Sequence, residues 1–322
     1  MLYPLKFKPR FKERIWGGSM LASKMGKKLP EGKMIGESWE LSGVQGDISV
    51  VSNGKLKGNN LEELIEVYMG ELVGDKVYEK FGVEFPLLIK LIDARDVLSI
   101  QVHPDDELAR ERHNSYGKTE MWYVVGNEPG AFLYVGFNGK VSREQYLEAV
   151  AKGNLPELLA RWEVKPGDAY FIPAGTIHAI GKGLLIAEIQ QTSDITYRVD
   201  DWGRVDDKGN PRELHTELAV DAIDFGEPKD LNVTAAPIVN EPVNIADCRY
   251  FTTNEIELDG TLARDYEDLD SFVIYMCLDG EMKVACQGGE ETLEKGETML
   301  VPAEFDGVTL TGKGNLLEVY ID

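Results

Sequence analysis

The stretch Gly167-Asp-Ala-Tyr-Phe-Ile-Pro-Ala-Gly-Thr-Ile-His178 decides the fold of this chain. Gly167 and Gly175 supply turn conformations that residues with a Cβ resist. The Tyr-Phe-Ile segment between them has the aromatic and β-branched character of a strand. The histidine therefore follows a tight corner and begins the next strand. This arrangement predicts a β-barrel with a metal ligand at its corner.

The same pattern returns 129 positions later, as Glu294-Lys-Gly-Glu-Thr-Met-Leu-Val-Pro-Ala-Glu-Phe-Asp-Gly307. This second copy keeps the glycine of the turn and the proline, but it has Gly307 where the first copy has His178. An internal repeat that retains its structural residues and loses its ligand indicates two related domains with different tasks. We expect two jelly-roll β-barrels and place the chemistry in the first.

Length and composition agree with two domains of ordinary size. The chain has 322 residues, and its 43% hydrophobic content is sufficient for packed cores. A proline-containing segment, Glu227 to Val243, is typical of a linker. We predict a catalytic domain over residues 1–240, with helical insertions, and a degenerate C-terminal β domain without metal ligands over residues 241–322.

The net charge bears on the possible partners, and the cysteines bear on the redox state of the compartment. A formal net charge of −22 repels nucleic acid and anionic membranes, so we expect neither as a partner. The three cysteines, Cys248, Cys277 and Cys286, have no spacing typical of a disulfide framework. We found neither an apolar targeting segment nor an apolar run of about 18 residues. These features predict a cytoplasmic protein with reduced cysteines, and they specify no oligomeric state.

Extended segments outnumber helical ones along the chain. A helix is predicted after the cap Asn60, and another after Ser142, which forms a capping box with Gln145. The predicted strands of the first domain are Phe85 to Ile92, Leu98 to Val102, Met121 to Val125, Ala131 to Val135 and Leu184 to Gln190.

A second motif, Gln101-Val-His103-Pro, supplies further candidate ligands. Residues two apart on a strand point to the same face, so Gln101 and His103 can both project into the barrel. Glu107 and Glu120 are the contenders for a carboxylate ligand. Glu107 lies in the start of a predicted helix, where the helix dipole explains acidic residues, whereas Glu120 begins a strand. Local physical chemistry therefore favours Glu120.

Two imidazoles, a carboxylate and an amide oxygen suit a divalent ion with open positions, and zinc is the first choice. Gln101 also has a simpler interpretation as a hydrogen-bonding amide. A metal-dependent oxygenase would favour iron held by two histidines and one carboxylate, which His103, His178 and Glu120 could supply, so the identity of the metal matters, although cationic side chains suited to phosphate argue against an oxygenase.

The ordered motifs resemble a known family. The Gly-x5-Pro-x-Gly-x2-His segment matches the second half of the cupin signature. Gln-x-His-Pro, Gly117-Lys-Thr-Glu-Met-Trp-Tyr, Pro-Ala-Gly-Thr-Ile-His and Ile189-Gln-Gln-Thr-Ser-Asp-Ile-Thr-Tyr-Arg198 together resemble type I mannose-6-phosphate isomerases in their short form. The resemblance implies zinc ligands at Gln101, His103, Glu120 and His178, active-site residues at Lys118, Glu188 and Arg198, and substrate contacts at Trp16, Glu37, Lys90 and Ser99.

The resemblance also implies the function. A small-molecule sugar phosphate would be the partner, one Zn²⁺ per chain the cofactor, and conversion of mannose 6-phosphate to fructose 6-phosphate through a cis-enediol the reaction. Such a reaction needs an acid or base, an electrophile for developing negative charge and an anchor for phosphate. Arg198 suits an electrostatic role because arginine stays protonated. Glu188, Lys118 or a water on the metal remain alternatives for carrying the proton, and a sugar-phosphate sensor without catalysis is the alternative function.

Several single residues carry a structural interpretation of their own. Lys90 interrupts the apolar run Pro86 to Ile92, which predicts either an edge position or a buried anionic partner. Trp122 is predicted to pack in the core. His113 and His215 lie in charged, helix-like stretches and are predicted to be surface residues.

Overall fold

Strands dominate the architecture. The computed structural model describes residues 2–205 and 208–322, which form eighteen strands and seven α-helices. The strands are β1 (Leu5–Lys6), β2 (Arg10–Glu13), β3 (Ile35–Ser42), β4 (Leu87–Ala94), β5 (Ile100–Val102), β6 (Glu120–Asn127), β7 (Phe132–Phe137), β8 (Leu159–Glu163), β9 (Ala169–Ile172), β10 (His178–Ile180), β11 (Leu184–Gln191), β12 (Tyr197–Asp200), β13 (Pro242–Cys248), β14 (Phe251–Asp265), β15 (Val273–Cys286), β16 (Gly289–Glu294), β17 (Thr298–Val301) and β18 (Gly307–Tyr320). The helices are α1 (Met20–Ser23), α2 (Leu61–Tyr68), α3 (Gly70–Val73), α4 (Asp75–Phe81), α5 (Asp106–His113), α6 (Arg143–Lys152) and α7 (Thr216–Ala222).

Two sheets of the first domain pack face to face. One has the order β2-β3-β4-β11-β6-β9 and the other the order β12-β5-β10-β7-β8. Between them lies an apolar cluster that joins Trp122 and Ile186 of the first sheet to Leu133 and Ile180 of the second. The mainly β class expected from the sequence is confirmed, although within the described residues the strands form separate sheets rather than closed hydrogen-bonded barrels.

The six-stranded sheet is covered on both faces. Ile89 and Leu91 of β4 belong to the largest hydrophobic cluster, which also contains Leu300 and Leu317 of the C-terminal strands. Lys90, between them, faces the opposite way because side chains alternate along a strand. Because β4 is buried on both faces, its sequence is almost entirely apolar. The polar side chain of Lys90 lies on the face turned away from the large cluster.

The internal repeat is real in three dimensions. Gly167 and Gly296 both lie in the left-handed region, with φ of 93° and 83°, and each precedes a short strand, β9 or β17. Gly175 at the second corner also has a positive φ, 87°. His178 begins β10, and its counterpart Gly307 begins β18. The second copy thus keeps the turn and strand while losing the histidine.

The C-terminal sheet takes in the chain's first strand. Its order is β1-β17-β15-β18-β14-β13, with β16 paired to β15, so Leu5 lies opposite Leu300. The predicted linker runs along β9, where Phe171 and Val233 donate backbone hydrogen bonds to Leu231 and Ala169. The division at residue 240 remains a prediction, and the two parts share one hydrophobic cluster.

The predicted helix caps are confirmed. Asn60 forms a capping box at the start of α2, as Ser142 does with Gln145 at the start of α6. Asp105 caps α5 by accepting a hydrogen bond from the amide of Leu108. Among the described residues, no helix has the length and apolar character needed to cross a membrane.

Candidate active site

Three buried side chains from the two facing sheets meet at one point. His178 begins β10, His103 follows β5, and Glu120 begins β6. The Nε2 atoms of His103 and His178 lie 3.5 and 3.4 Å from the carboxylate oxygens of Glu120. All three residues are at most 1% exposed. Their possible ligand atoms lie within 4.8 Å of one another, a separation that one metal ion can bridge.

Backbone carbonyls orient both imidazoles. The Nδ1 atom of His103 lies 2.9 Å from the carbonyl oxygen of Ile195, and that of His178 lies 2.8 Å from the carbonyl of Thr176. A hydrogen bond donated by Nδ1 fixes the tautomer and leaves a lone pair on Nε2. Burial lowers the pKa of His103 well below its usual range and that of His178 to about 4. Both rings are therefore neutral near pH 7, as metal ligands must be.

The atoms that converge here fit a divalent cation. Both Nε2 atoms and Oε1 of Glu120 are buried and make no hydrogen bond among the described residues, and Oε2 of Glu120 faces the ammonium group of Lys118. Buried polar atoms without partners are rare in folded proteins. Burial raises the pKa of Glu120 to about 7, and Lys118, whose Nζ lies 3.2 Å from Oε2, opposes that shift. A doubly charged ion would satisfy all four atoms at once.

Gln101 lies in a row with two other candidate residues. Strand β5 sits between β10 and β12, and Gln101 is directly opposite His178 on one side and Arg198 on the other. Directly opposed residues of an antiparallel pair project from the same face. The amide of Gln101 is therefore on the histidine's side of the sheet. Glu107, by contrast, is an exposed residue in the first turn of α5, away from the buried group.

A polar cavity of about 410 Å³ adjoins this group. Its lining contains every remaining candidate named from the sequence, namely Trp16, Glu37, Lys90, Ser99, Gln101, Lys118, Glu188 and Arg198. A larger groove, of about 820 Å³, lies between α4, α5 and the turn joining β13 to β14. None of Gln101, Lys118, Glu188 and Arg198 lines that groove, whereas all four line the smaller cavity, so we assign the chemistry to the smaller cavity.

Lys90 and Glu188 form a buried ion pair in the cavity wall. They are opposite each other on β4 and β11, and Nζ of Lys90 lies 2.8 Å from Oε2 of Glu188. The indole N–H of Trp122 donates to the other oxygen of Glu188 at 3.0 Å. Burial alone would raise the pKa of Glu188, but Lys90 and Lys118 lower it to about 2. The buried partner predicted for Lys90 is therefore Glu188.

The comparisons with known proteins agree with this geometry. A family model described as type I phosphomannose isomerase, catalytic domain, matches residues 4–130, and one described as mannose-6-phosphate isomerase, cupin domain, matches residues 243–321. The mannose-6-phosphate isomerase ManA of Bacillus subtilis is 37% identical over 96% of this chain and 96% of its own. The chain belongs to the type I mannose-6-phosphate isomerase family.

Further relatives of this isomerase family cover the whole chain. The mannose-6-phosphate isomerase of Streptococcus mutans is 36% identical over 95% of this chain and 96% of its own. A crystal structure of the mannose 6-phosphate isomerase from Bacillus subtilis superimposes with a TM-score of 0.86 at 32% identity, covering 99% of both chains. The expectation from the four ordered motifs is confirmed at the level of the family, which consists of aldose–ketose isomerases.

Arg198 is held at the cavity from two directions. Its Nη1 donates to the carbonyl oxygen of Glu213 at 2.9 Å, and its backbone N–H donates to Nδ1 of His215 at 3.2 Å. Its buried Nε makes no hydrogen bond among the described residues. Burial lowers the pKa of the guanidinium, but arginine remains charged in proteins. The Nε–H of Arg198 is therefore a buried donor without a protein acceptor among the described residues.

Glu37 lies at the cavity mouth within a hydrogen-bonded cluster. It accepts from Nε of Arg14 at 2.8 Å and from the indole N–H of Trp39 at 2.7 Å. Burial would raise its pKa, but Lys90 and Arg14 lower it. Glu37 is thus an ionised carboxylate that fixes its neighbours.

Sequence reasoning missed several residues of the wall. Arg14, Trp39, Arg212 and His215 all line the cavity. The prediction of His215 as a surface residue was wrong, because it is half-buried beside Arg198. The period-two spacing of basic residues before Arg14 was a usable signal for a strand with one cationic face. Arg212 and His215 arrive on an irregular segment that gave no such signal.

Proposed function

We propose that this chain interconverts mannose 6-phosphate and fructose 6-phosphate through a cis-enediol, with one zinc ion per chain. The observation that carries the proposal is the buried His103, Glu120 and His178 group beside a cavity lined by cationic side chains. The chemistry named for the family's relatives needs both features. The cytoplasmic location expected from the cysteines, which are free thiols here, stays a prediction.

The metal fits the donor set. Two neutral imidazoles and a carboxylate, with Gln101 as a fourth donor, match the preference of zinc for mixed nitrogen and oxygen ligands. When bound, zinc is a Lewis acid that stabilises negative charge developing on the sugar oxygens. The Nδ1 contacts with Ile195 and Thr176 keep both rings aimed at one point, which pre-organises the site.

Lys118 and Arg198 have different roles in the proposed reaction. Isomerisation moves one proton from C2 to C1 and one between the two oxygens, so no oxidant or reductant is needed. Near neutral pH Lys118 is protonated, because burial lowers its pKa less than Glu120 and Glu188 raise it. It can deliver a proton to the carbonyl oxygen that becomes a hydroxyl of the enediol. Arg198, with a free N–H, stabilises an anion on the substrate.

Glu188 has a different task. Both of its oxygens accept hydrogen bonds, and its pKa of about 2 makes it a weak base. We therefore assign to Glu188 the holding of Lys90, whose ammonium group lines the cavity, and a water held at the metal site would carry the proton between C2 and C1. Trp16, Glu37 and Ser99 form the neutral and anionic wall that turns the sugar hydroxyls toward these groups.

The deciding experiment is steady-state conversion of mannose 6-phosphate by purified protein before chelation, after chelation and after zinc is restored. The proposal expects activity that disappears and returns. Absence of turnover in folded protein containing one zinc per chain would overturn it. Binding of the sugar phosphate to that inactive protein would favour a sensor instead.

A further inference from the structure

The C-terminal domain reaches the candidate active site through one carboxylate, that of Asp106. The residue is the first of helix α5, and its side chain is 29% exposed. It accepts four hydrogen bonds, two per oxygen, from donors in three segments of the chain. Two of these donors are Gly117, which directly precedes Lys118, and Gln191 at the end of β11, and the other two belong to the turn that joins β13 to β14.

The two oxygens face different parts of the molecule. Oδ1 accepts from the backbone N–H of Gly117 at 3.0 Å and from Nε2 of Gln191 at 2.9 Å. Oδ2 accepts from Nη2 of Arg249 and from the hydroxyl of Tyr250, each at 2.6 Å. Arg249 and Tyr250 also contact each other. Asp106 therefore bridges the C-terminal sheet to the segment that precedes β6.

That segment carries the chemistry. Gly117 is followed directly by Lys118, and β6 then begins with Glu120. The N–H of Lys118 donates to the carbonyl oxygen of Pro104 at 3.1 Å, so the backbone on both sides of the Gly117–Lys118 peptide is tied to the start of α5. A shift of Asp106 would move this backbone, and Lys118 and Glu120 with it.

The packing at Gly117 allows almost no adjustment. A Cβ built on Gly117 would lie 2.6 Å from the backbone carbon of Asp105 and the nitrogen of Asp106. Real Cβ atoms essentially never approach other atoms so closely. The segment before Lys118 is therefore seated directly on the helix start, where a side chain would push it away.

Gln191 extends the same connection. Its Oε1 accepts from the N–H of Thr119 at 2.8 Å while its Nε2 donates to Asp106. The hydroxyl of Thr119 accepts from the N–H of Ala174, in the corner that precedes His178. One set of hydrogen bonds thus fixes Thr119, which stands between Lys118 and Glu120, from both sides.

We propose that Asp106 is a positioning residue for Lys118 and Glu120, and that the Arg249–Tyr250 turn of the C-terminal domain holds Asp106 in place. The inference rests on the proposed function, because it assigns those two residues to catalysis and metal binding. It gives the domain without metal ligands a task in the reaction: its turn fixes the geometry of the site in the other domain. Small displacements of catalytic groups are costly, since about 1 Å of misplacement can reduce a rate about 100-fold.

The test is Tyr250→Phe, which removes one hydroxyl at the far side of Asp106. We expect kcat to fall about 5- to 10-fold with KM changed less than about twofold, because the substrate-binding wall stays in place. Release of the metal to a chelator should be about 10-fold faster, as is common when the support of a ligand is weakened. Arg249→Gln, at a side chain that is 70% exposed, tests the same turn if Tyr250→Phe fails to fold.

Tyr123→Phe is the matched control. Tyr123 also donates its hydroxyl to a carboxylate of the C-terminal sheet, that of Glu255 at 2.6 Å, but this bond does not lead to the segment before Lys118. We expect it to lower the unfolding temperature and to leave kcat and metal release unchanged. If Tyr250→Phe behaves in the same way as Tyr123→Phe, the inference is overturned.

A double variant separates positioning from general destabilisation. Asp106→Asn should lower kcat about 30-fold, and adding Tyr250→Phe should cost little more, because both act through the same contact. Additive losses would contradict the inference. If the wild-type protein shows no turnover at all, the proposed function fails, and the relative rates of metal release in Tyr250→Phe and Tyr123→Phe decide the inference by themselves.

Discussion

His178 and Glu120 belong to opposite sheets, yet Nε2 of His178 lies 3.4 Å from Oε1 of Glu120. His103 completes the group from the residue that directly follows β5, the strand next to that of His178. A donor set that spans both sheets ties the geometry of the site to the packing between them. Binding of a metal ion should therefore stabilise the whole first domain by mass action.

Removing a donor should empty the metal site. We expect His178→Ala and Glu120→Gln to lower the zinc content well below one per chain, because each leaves too few ligands in a buried site. Zinc per chain is measured by atomic emission after dialysis against a weak chelator. Glu107→Gln is the control, since Glu107 is an exposed residue of α5. Loss of zinc from the control protein would mean that the wrong carboxylate was chosen.

Arg198→Ala should separate catalysis from metal binding. Its guanidinium contacts Glu213 and lines the cavity, but it is not among the three buried residues around Glu120. We expect kcat/KM to fall about 100- to 1000-fold, the scale seen when a group that stabilises developing charge is removed. Zinc should stay at about one per chain. A variant that loses both activity and zinc would show that Arg198 supports the metal site itself.

Asp201 should make stability depend on pH in the acidic range. The residue is buried and pairs with Arg204 and Arg212, and its pKa is lowered because those contacts outweigh burial. A folded-state pKa below the unfolded value contributes stability that is complete above about pH 4 and is lost as pH falls through the folded pKa. We expect Asp201→Asn to lower the free energy of unfolding by about 2 kcal/mol at pH 7.

The difference in unfolding free energy between wild type and Asp201→Asn should become smaller as the pH falls below about 4. Urea unfolding of wild type and Asp201→Asn at a series of pH values checks this. A difference that stays constant down to about pH 3 would contradict the assignment of the stabilising charge to Asp201.

Glu318 should stabilise the C-terminal domain without affecting chemistry. It is fully buried and accepts from Nε and Nη2 of Arg264 at 2.8 and 3.0 Å and from Nδ2 of Asn254 at 2.8 Å. Tyr266 and Tyr275 also direct their hydroxyls at it. Glu318→Ala should cost about 3–5 kcal/mol, because it leaves a partly buried guanidinium without its partner.

Zinc content and kcat of folded Glu318→Ala protein should match the wild type. Glu290→Ala, which removes the exposed partner of Lys283, is the comparison and should lower the free energy of unfolding far less, because solvent screens a surface ion pair. Equal effects of the two substitutions on chemical unfolding would show that the buried cluster contributes nothing beyond a surface ion pair.

Turns, strand faces and helix caps could be predicted from the sequence because each depends on a few neighbouring residues. The glycines at 167 and 296 marked equivalent turns because both need a positive φ. Period-two spacing predicted that Gln101 and His103 share a face, and the caps of α2 and α6 were readable from three or four residues. The histidines in ordered motifs, together with the glutamate that begins a strand, indicated the buried group of His103, Glu120 and His178 from the sequence alone.

Other parts of the site depended on long-range contacts. The row that places Gln101 between His178 and Arg198 arises from strand pairing between residues 77 and 97 positions apart in the chain, which no local pattern encodes. The same is true of Lys90, whose partner Glu188 lies on a neighbouring strand, and of His215, which reaches the cavity from an irregular segment.

The sequence by itself determined the mainly β class, the internal repeat, the candidate ligands and the family, because turns, alternation and motif spacing are properties of short segments. Only the tertiary structure decided that β1 joins the C-terminal sheet and that Arg249 and Tyr250 reach Asp106. Such contacts depend on how two sheets pack over a shared core. The physical reason is that packing joins residues whose separation along the chain carries no signal of their proximity.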